Sequence, residues 1–268
     1  MAAFFLRDKD IILLDCDGVI WRGEQPIEGA KRTLDWLQWT GFRLGFVTNN
    51  SSLSRSGFKQ KFWRLGFDPR HYTIINSAYG AALYLEKNDY NRVFIIGEIG
   101  LKEELELRGI QVFERYEREL QAVCIGWDRD LTWQKLADAM RVILYDNGAF
   151  IGTNPDNNYP IEEGRLAPGA GAGIAALATA CSRKPDIVLG KPNPYLLELA
   201  LKDMNSPNPS KAIYIGDRLS TDIMAGINAG IETILVKTGV YEENIDKRII
   251  PTYEIDSIAQ IPELMKQT

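Results

Sequence analysis

The chain alternates short apolar runs with longer amphipathic segments. An unbroken apolar run such as Ile11–Leu14 predicts a strand that is buried on both faces, as in a parallel sheet. Between such runs, apolar residues recur at helical spacing: within residues 29–40, Leu34 and Leu37 share one face, and Gly41 suits the position just after a helix. The alternation of strand and helix predicts an α/β fold in which right-handed crossovers join parallel strands.

The same pattern gives bounds for the individual elements. Strands are predicted at residues 11–14, 43–47, 72–75, 92–96, 122–126, 150–153, 187–189, 212–215 and 233–236. Helices are predicted at residues 29–40, 54–65, 78–86, 100–108, 132–144, 173–181, 195–202 and 223–228, and a weak helix or cover is predicted through Ile258 and Leu264. The alternation restarts in the middle of the chain, which indicates a second α/β module.

Size and charge are those of an ordinary globular protein. With 268 residues, of which 45% are hydrophobic, the chain is long enough for one large domain or two smaller ones. The net charge of −5 argues against general binding to nucleic acid or to an anionic membrane. No run is long enough to span a membrane and the first residues make a poor signal peptide, so we expect a cytoplasmic protein.

Cysteine and histidine are scarce, which narrows the chemistry. Cys16, Cys124 and Cys181 are too few and too scattered for a disulfide framework or a zinc site, and we expect them to fill small spaces in the core. A Ser-His-Asp or Cys-His mechanism would need His71, the only histidine, which lies in a predicted loop. Because a histidine in a surface loop is usually incidental, such a mechanism is disfavoured.

Polar side chains collect where four of the predicted strands end. They are Asp15 and Asp17 after the first strand, Thr48, Asn49 and Asn50 after the second, Lys191 after residues 187–189, and Asp217 and Asp222 after residues 212–215. If these strands share one parallel sheet, the side chains meet at its carboxyl edge, where such sheets bind ligands. Clustered carboxylates repel one another, and Mg²⁺ relieves that repulsion. Because Lys191, Thr48 and Asn49 would complement a phosphate dianion, the pattern predicts a phosphate site with a metal.

Asp15 and Asp17 have the spacing for covalent phosphate chemistry. An aspartate can attack phosphorus and form an aspartyl phosphate, while a second acid protonates the leaving oxygen and then activates water. Residues two apart on an extended segment project to the same side, so both carboxylates can face one pocket. Considered alone, these residues would also fit a solvated Asp-x-Asp-Gly turn. Cys16, between the acids, is predicted to pack rather than to react.

Four motifs of the sequence resemble those of the haloacid dehalogenase (HAD) superfamily of phosphatases, in the same order. They are residues 15–19 (Asp-Cys-Asp-Gly-Val), residues 48–50 (Thr-Asn-Asn), Lys191, and residues 216–217 (Gly-Asp) with Asp222. Within the superfamily, the chain looks like the subgroup of 4-nitrophenylphosphatases, phosphoglycolate phosphatases, pyridoxal phosphate phosphatases and NagD proteins. Residues 15–23, 48–51, 153–156, 190–192 and 216–222 carry that likeness, which covers essentially the whole chain.

The resemblance implies a role for each of these residues. Asp15 would be the nucleophile and Asp17 the general acid and base. The Asp15 carboxylate, the Asp17 main-chain carbonyl and Asp217 would bind Mg²⁺, Asp222 would orient the metal shell, and Thr48, Asn49 and Lys191 would hold the phosphoryl group. Because superfamily members that are dehalogenases lack the second acid, Asp17 indicates a phosphatase that hydrolyses small phosphomonoesters.

The resemblance also implies the domain organisation. Residues 1–81 and 186–268 would form a Rossmann-like HAD core with a parallel sheet flanked by helices, and residues 82–185 would form an inserted α/β cap domain of the C2 type. Such a cap closes over the site and selects the substrate, a small phosphorylated metabolite. Subgroup members often dimerise through the cap, so a homodimer is expected. Phosphoglycolate, pyridoxal phosphate, sugar phosphates and nucleotides all remain open as substrates.

Several interpretations remain open from the sequence. A phosphate-binding regulatory module without turnover is disfavoured by the presence of both acids and the lysine, and a receiver domain is much shorter and has no cap. An NAD-dependent enzyme would use Gly171 and Gly173, but residues 161–168 before them are predicted as a loop rather than a strand. Residues 153–156 form either a turn or part of a substrate-facing surface, with Asp156 as the candidate residue.

Overall fold

The computed structural model describes residues 6–160, 165–240, 242 and 246–266. Within these residues the strands are β1 (Ile11–Leu14), β2 (Trp21–Arg22), β3 (Gln25–Pro26), β4 (Arg43–Thr48), β5 (Thr73–Asn76), β6 (Arg92–Ile96), β7 (Gln111–Phe113), β8 (Ala122–Ile125), β9 (Ala149–Gly152), β10 (Asn158–Pro160), β11 (Leu166–Pro168), β12 (Ile187–Val188), β13 (Ala212–Gly216), β14 (Glu232–Val236) and β15 (Tyr253–Ile255).

The α-helices of the same residues are α1 (Ala30–Trp39), α2 (Arg55–Arg64), α3 (Ser77–Lys87), α4 (Ile99–Glu106), α5 (Trp133–Leu144), α6 (Ala170–Cys181), α7 (Tyr195–Asp203), α8 (Met224–Asn228) and α9 (Ile261–Lys266). Local signals explain their ends: Gly41, just past α1, has φ +96°, and the Asn76 side chain caps α3 by accepting a hydrogen bond from Tyr79 N. In the part of the chain that the structure describes, no helix is long and apolar enough to cross a bilayer.

The chain divides into two compact units. The first comprises residues 1–48, 59–75 and 191–268, so far as these are described, and the second comprises residues 49–58 and 76–190. The predicted insert of residues 82–185 falls inside the span of the second unit, and its boundaries remain a prediction.

A six-stranded sheet organises the first unit, in the order β15-β14-β13-β1-β4-β5. β1 lies inside the sheet and pairs in parallel with β13 on one side and with β4 on the other, and the β13–β14 and β14–β15 pairs are also parallel. All four residues of β1 are completely buried, as its unbroken apolar run predicts. The predicted parallel α/β architecture of the core is therefore confirmed.

A separate five-stranded sheet, in the order β12-β9-β8-β6-β7, organises the second unit. Its strand pairs are all parallel. Residues of this sheet and of α5 and α6 form a buried cluster that includes Phe94, Val142, Phe150 and Leu177. The antiparallel pair β10–β11 lies between β9 and α6 in the chain. The second α/β module that the sequence predicts is therefore confirmed.

Some sequence-based assignments are corrected by the structure. The strand predicted at residues 187–189 is observed as β12 (Ile187–Val188), which belongs to the second unit's sheet and not to the sheet of β1. A short apolar run does not specify which sheet it joins. Part of the predicted loop at residues 161–168 is the strand β11, while residues 161–164 lie outside the described residues. β7 and β15 are short, partly polar edge strands, so the hydrophobic pattern does not reveal them.

Candidate active site

Three strand ends of the first unit meet at one edge of its sheet. In the parallel register, the last residue of β1 lies beside Phe46 of β4 and Ile215 of β13. Asp15 follows the end of β1 directly, while Thr48 and Asp217 stand two residues beyond Phe46 and Ile215, and all three are buried. The convergence that the sequence predicts for these three residues is therefore observed.

Lys191 joins this group although no strand of the same sheet leads to it. It lies between β12 and α7 and is buried. Its Nζ atom lies 2.6 Å from Oδ1 of Asp15 and 2.6 Å from Oδ1 of Asp222, and it also donates to the main-chain oxygen of Val47 at 3.2 Å. One buried cation thus bridges two buried carboxylates, which offsets the cost of removing each charge from water.

Three carboxylates form an oxygen-rich cluster beside this lysine. Asp15, Asp217 and Asp222 each offer one oxygen, and these oxygens lie within 4.8 Å of one another. Carboxylate oxygens are the ligands of hard divalent cations such as Mg²⁺ and Ca²⁺, whereas softer metals favour nitrogen and sulfur. The donor set therefore fits a hard divalent cation.

Four donors saturate the carboxylate of Asp222. Oδ1 accepts from Lys191 Nζ and from the Tyr214 hydroxyl at 3.0 Å, and Oδ2 accepts from the main-chain N–H groups of Asp217 at 3.2 Å and Arg218 at 3.1 Å. The π-helical turn that precedes α8 carries Asp222 to this position. Because a carboxylate has about four lone-pair positions, Asp222 is better suited to orienting its neighbours than to binding a metal directly.

Main-chain groups of two loops enclose Asp217. Its Oδ2 accepts a hydrogen bond from Val240 N at 2.9 Å. Gly18 has φ +82°, and a Cβ atom there would lie 2.4 Å from Oδ2 of Asp217. The Thr238 hydroxyl donates to the carbonyl of Gly18 at 2.6 Å and so joins the two loops. Glycine is therefore required at position 18 both by the backbone conformation and by the space that Asp217 needs.

Burial makes the ionised forms of these acids costly. It raises the pKa of Asp15 to about 7, although the nearby Lys191 opposes this rise. Burial and the charge of Asp222 also raise the pKa of Asp217 well above its usual value. Burial acts on Asp222 too, but Lys191 and the hydrogen bonds outweigh it and hold the pKa of Asp222 below its usual value. Raised pKa values of this kind fall when a divalent cation binds to the carboxylates.

Three other buried groups keep their protons. Burial lowers the pKa of Lys191, but the negative charges of Asp15 and Asp222 have a larger opposite effect. The pKa of Lys191 therefore lies well above its usual value. Burial and the charge of Asp222 raise the pKa of Tyr214 well above its usual value, so its hydroxyl remains a donor. Burial and the charge of Asp15 also raise the pKa of the Cys16 thiol, which disfavours the reactive thiolate and supports the packing role expected for this residue.

Asp17 differs from Asp15 in its exposure to solvent. Asp15 is buried, whereas Asp17 is exposed. Protein atoms around the Asp17 carboxyl still displace part of its water and raise its pKa, while Lys61 opposes this rise. An acid that is open to solvent and has a raised pKa can hold a proton and exchange it with a leaving oxygen or with water.

Asn49 follows Thr48 directly in the chain, and three hydrogen bonds join it to Ser77, Asn154 and Asp156 of the second unit. Its main-chain oxygen accepts hydrogen bonds from Asn154 Nδ2 at 2.8 Å and from the Ser77 hydroxyl at 2.5 Å. Its own Nδ2 donates to Oδ1 of Asp156 at 3.1 Å. Residues 153–156 therefore do more than form the turn that is one of their sequence-based interpretations, because they hold Asn49.

Tyr214 and residues 238–240 also belong to this cluster, although the sequence pattern does not indicate it. Tyr214 lies within a strand that is predicted as apolar and buried, so its hydroxyl gives no separate signal. Residues 238–240 follow β14 closely at its carboxyl end. The rule that locates Asp15 and Asp217 would also have located this loop, because ligand-contacting loops follow the carboxyl ends of parallel strands.

Comparison with known proteins agrees with these observations. A haloacid dehalogenase-like hydrolase profile matches residues 12–111, and a second HAD-hydrolase-like profile matches residues 188–261. The chain is 33% identical to human glycerol-3-phosphate phosphatase over 297 aligned positions, which cover 97% of the chain and 92% of that protein. It is 35% identical to phosphoglycolate phosphatase 2 of Arabidopsis thaliana over 284 positions, or 96% of the chain and 93% of that protein.

Solved structures show the same fold. The 4-nitrophenylphosphatase of Thermotoga maritima superposes with a TM-score of 0.88 at 30% identity, covering 97% of this chain and 99% of that one. The glycerol phosphate phosphatase of Mycobacterium tuberculosis, solved in complex with magnesium, superposes with a TM-score of 0.84 at 32% identity, covering 95% and 76%. The chain therefore belongs to the haloacid dehalogenase-like hydrolases, as a phosphatase of the subgroup that includes the 4-nitrophenylphosphatases, phosphoglycolate phosphatases and NagD proteins.

Proposed function

We propose that the protein hydrolyses small phosphomonoesters in an Mg²⁺-dependent reaction that passes through an aspartyl phosphate on Asp15. The observation that carries this proposal is the buried cluster in which Lys191 Nζ lies 2.6 Å from Asp15, beside the carboxylates of Asp217 and Asp222. A lysine and an oxygen-donor metal site around one carboxylate supply the charges that a transferring phosphoryl group requires.

The two acids of the first motif divide the chemistry between them. A carboxylate oxygen of Asp15 attacks phosphorus, and the bond between phosphorus and the ester oxygen breaks. Asp17 gives its proton to the departing ester oxygen, which leaves as an alcohol. The Asp17 carboxylate then takes a proton from water, whose oxygen attacks the phosphorus of the aspartyl phosphate. The bond between phosphorus and the Asp15 oxygen breaks, so inorganic phosphate leaves, Asp15 is restored as a carboxylate and Asp17 carries a proton again.

The remaining residues hold the phosphoryl group and the metal. Thr48, Asn49 and Lys191 bind the phosphoryl oxygens in this proposal. Asp15, the Asp17 main-chain carbonyl and Asp217 would hold Mg²⁺, and the saturated carboxylate of Asp222 would orient this shell. When bound, Mg²⁺ neutralises the clustered acids and stabilises charge on the phosphoryl oxygens.

The substrate is proposed as a small phosphorylated metabolite, and its identity is left to a panel of esters. Relatives are named for glycerol 3-phosphate and phosphoglycolate, so these esters belong in the panel. Pyridoxal phosphate, sugar phosphates and nucleotides complete it. We assign the choice among them to the predicted insert, residues 82–185, and include Asp156 as a candidate. A homodimer through this insert and a cytoplasmic location remain predictions.

Phosphate release from 4-nitrophenyl phosphate, with and without Mg²⁺, tests the proposal. Asp15→Asn keeps the size of the side chain but removes the nucleophilic carboxylate. Asp10→Asn is the matched control, because Asp10 lies next to the opposite end of the same strand and is exposed. We expect activity that depends on Mg²⁺, survives Asp10→Asn and is lost in Asp15→Asn.

Two results would contradict the proposal. Full activity in Asp15→Asn would exclude the aspartyl phosphate on this residue. Binding of inorganic phosphate without turnover of any ester in the panel would favour the alternative, a phosphate-binding regulatory module.

A further inference from the structure

The hydroxyl of Tyr214 contacts two charged groups of the cluster, Lys191 and Asp222. Tyr214 is the third residue of β13 and is completely buried. Its oxygen lies 2.9 Å from Lys191 Nζ and 3.0 Å from Oδ1 of Asp222. A strand between two others fixes the Cα position of this tyrosine, because its neighbours Leu13 and Thr233 pair with it on either side. The hydroxyl is therefore held at a defined point between one cation and one anion.

The Tyr214 hydroxyl is both an acceptor and a donor in this hydrogen-bond network. The Lys191 ammonium has three protons, and at least four acceptors lie within reach, namely Asp15, Asp222, Val47 O and the Tyr214 oxygen. Among these four acceptors, only the hydroxyl can accept a hydrogen bond from Lys191 and also donate one to Asp222. Asp15 and Asp222 compete for the same ammonium, and the tyrosine supplies Asp222 with a donor of its own.

This second donor matters when a phosphoryl group arrives. In the proposed function, Lys191 must donate hydrogen bonds to the phosphoryl oxygens. Its hydrogen bond to Asp222 is weakened as a result. The hydrogen bond from Tyr214 would keep Oδ1 of Asp222 satisfied, and the tyrosine oxygen would still accept one proton from Nζ. A neutral group thus preserves the geometry while charges are redistributed around it.

We propose that Tyr214 is a positioning residue, which orients Lys191 toward the phosphoryl group and holds Asp222 in place beside the candidate metal ligands Asp15 and Asp217. This inference rests on the proposed function and deepens it. The contrasting role is simple core packing, and the same unit offers an example. Tyr72 is also buried, but its hydroxyl has no hydrogen-bond partner among the described residues.

The test compares two tyrosine-to-phenylalanine variants. Tyr214→Phe removes the bridging hydroxyl, and Tyr72→Phe removes a buried hydroxyl that has no hydrogen-bond partner in the part of the chain that the structure describes. The measurements are kcat and KM for 4-nitrophenyl phosphate at saturating Mg²⁺, the affinity for inorganic phosphate by calorimetry with Mg²⁺ present, and Tm. We expect Tyr214→Phe to lose about tenfold in kcat/KM and several-fold in phosphate affinity, as for a hydrogen bond to a charged group, and Tyr72→Phe to match the wild type.

A double-mutant cycle separates positioning from packing. If Tyr214 acts through Lys191, Tyr214→Phe should cost more phosphate affinity in the wild type than in Lys191→Met, where only the contact of Tyr214 with Asp222 is left to lose. An equal loss in both backgrounds, or wild-type kcat and phosphate affinity in Tyr214→Phe, would overturn the inference. Tyr214→Met, which also lacks the hydroxyl, replaces the phenylalanine variant if that protein does not fold. Failure of the wild type to hydrolyse any ester would overturn the proposed function instead, while phosphate affinity would still report on Tyr214.

Discussion

Lys191 Nζ lies 2.6 Å from Oδ1 of Asp15, although 176 positions separate the two residues in the chain. The pair is buried, so neither charge is stabilised by bulk water. The lysine therefore partly neutralises the proposed nucleophile, and in the proposed function it must also donate hydrogen bonds to the phosphoryl group. Stability and phosphate binding thus depend on the same ion pair.

Removing this lysine should destabilise the protein and weaken phosphate binding together. In Lys191→Met the buried carboxylates lose their cation, and we expect a loss of about 3 kcal/mol in the free energy of unfolding near neutral pH. Mg²⁺ should restore part of this loss, because it replaces the missing positive charge. Urea unfolding with and without Mg²⁺ measures both effects.

The control for that variant is Lys31→Met. Lys31 forms an exposed i,i+4 pair with Asp35 at 2.8 Å. Its loss should cost no more than about 0.5 kcal/mol. Equal losses in the two variants would show that the Lys191 pair contributes no more than a surface pair does.

Mg²⁺ should bind more tightly as the pH rises from about 6 to about 8. The pKa of Asp15 is raised from 3.8 to about 7, and that of Asp217 is raised well above 3.8, so both carboxyls hold protons that the cation must displace. Between pH 3.8 and about 7 the folded state binds more protons at Asp15 than the unfolded state does, and this group's contribution to metal-free stability falls as the pH rises.

The increase in Tm caused by saturating Mg²⁺ should consequently be larger at about pH 8 than at about pH 6. Calorimetry in two buffers of different ionisation enthalpy would count the protons that binding releases. A Tm increase that does not change with pH, together with no proton release, would contradict this assignment of the metal site.

Much of the site follows from the sequence because parallel strands share an edge. Asp15, Thr48 and Asp217 each stand at or just beyond the carboxyl end of a strand, and neighbouring strands in register bring such positions together. The same rule also selects Lys191, but its assumption that the strand before this residue belongs to the sheet of β1 is wrong. That lysine follows β12, which belongs to the other sheet, yet its long side chain still reaches Asp15.

Other parts of the structure could not be predicted from the pattern. The ring of Tyr214 belongs to a buried strand, whereas its hydroxyl belongs to the cluster. The hydrophobic pattern predicts the burial of the ring but not the contacts of the hydroxyl. The hydrogen bonds from Asn154 and to Asp156 that hold Asn49 join residues more than 100 positions apart. Such contacts depend on side-chain geometry, and the periodicity of hydrophobic positions contains no information about it.

Gly18→Ala should disrupt the metal site specifically. Gly18 has φ +82°, and a Cβ atom would lie 2.4 Å from Oδ2 of Asp217. Gly66 has φ +84°, and a Cβ atom there would meet no atom of the described residues within 4 Å, so Gly66→Ala imposes the backbone penalty alone. We expect Gly66→Ala to cost about 1 kcal/mol in stability and to leave Mg²⁺ affinity unchanged. Gly18→Ala should cost more and weaken Mg²⁺ binding at least about tenfold, because Asp217 must move; equal Mg²⁺ affinity in the two variants would contradict this.

Asp156 should influence substrate binding through Asn49. Oδ1 of Asp156 accepts from Asn49 Nδ2 at 3.1 Å, and Asn49 directly follows the phosphate-binding candidate Thr48. Asp156→Ala removes the acceptor, so we expect KM for 4-nitrophenyl phosphate to rise about five- to tenfold with a smaller change in kcat, as for the loss of one hydrogen bond. Asp156→Asn keeps an oxygen at the same position and should lie close to the wild type. If Asp156→Asn is as impaired as Asp156→Ala, the negative charge of Asp156 matters rather than its hold on Asn49, and the positioning explanation is wrong.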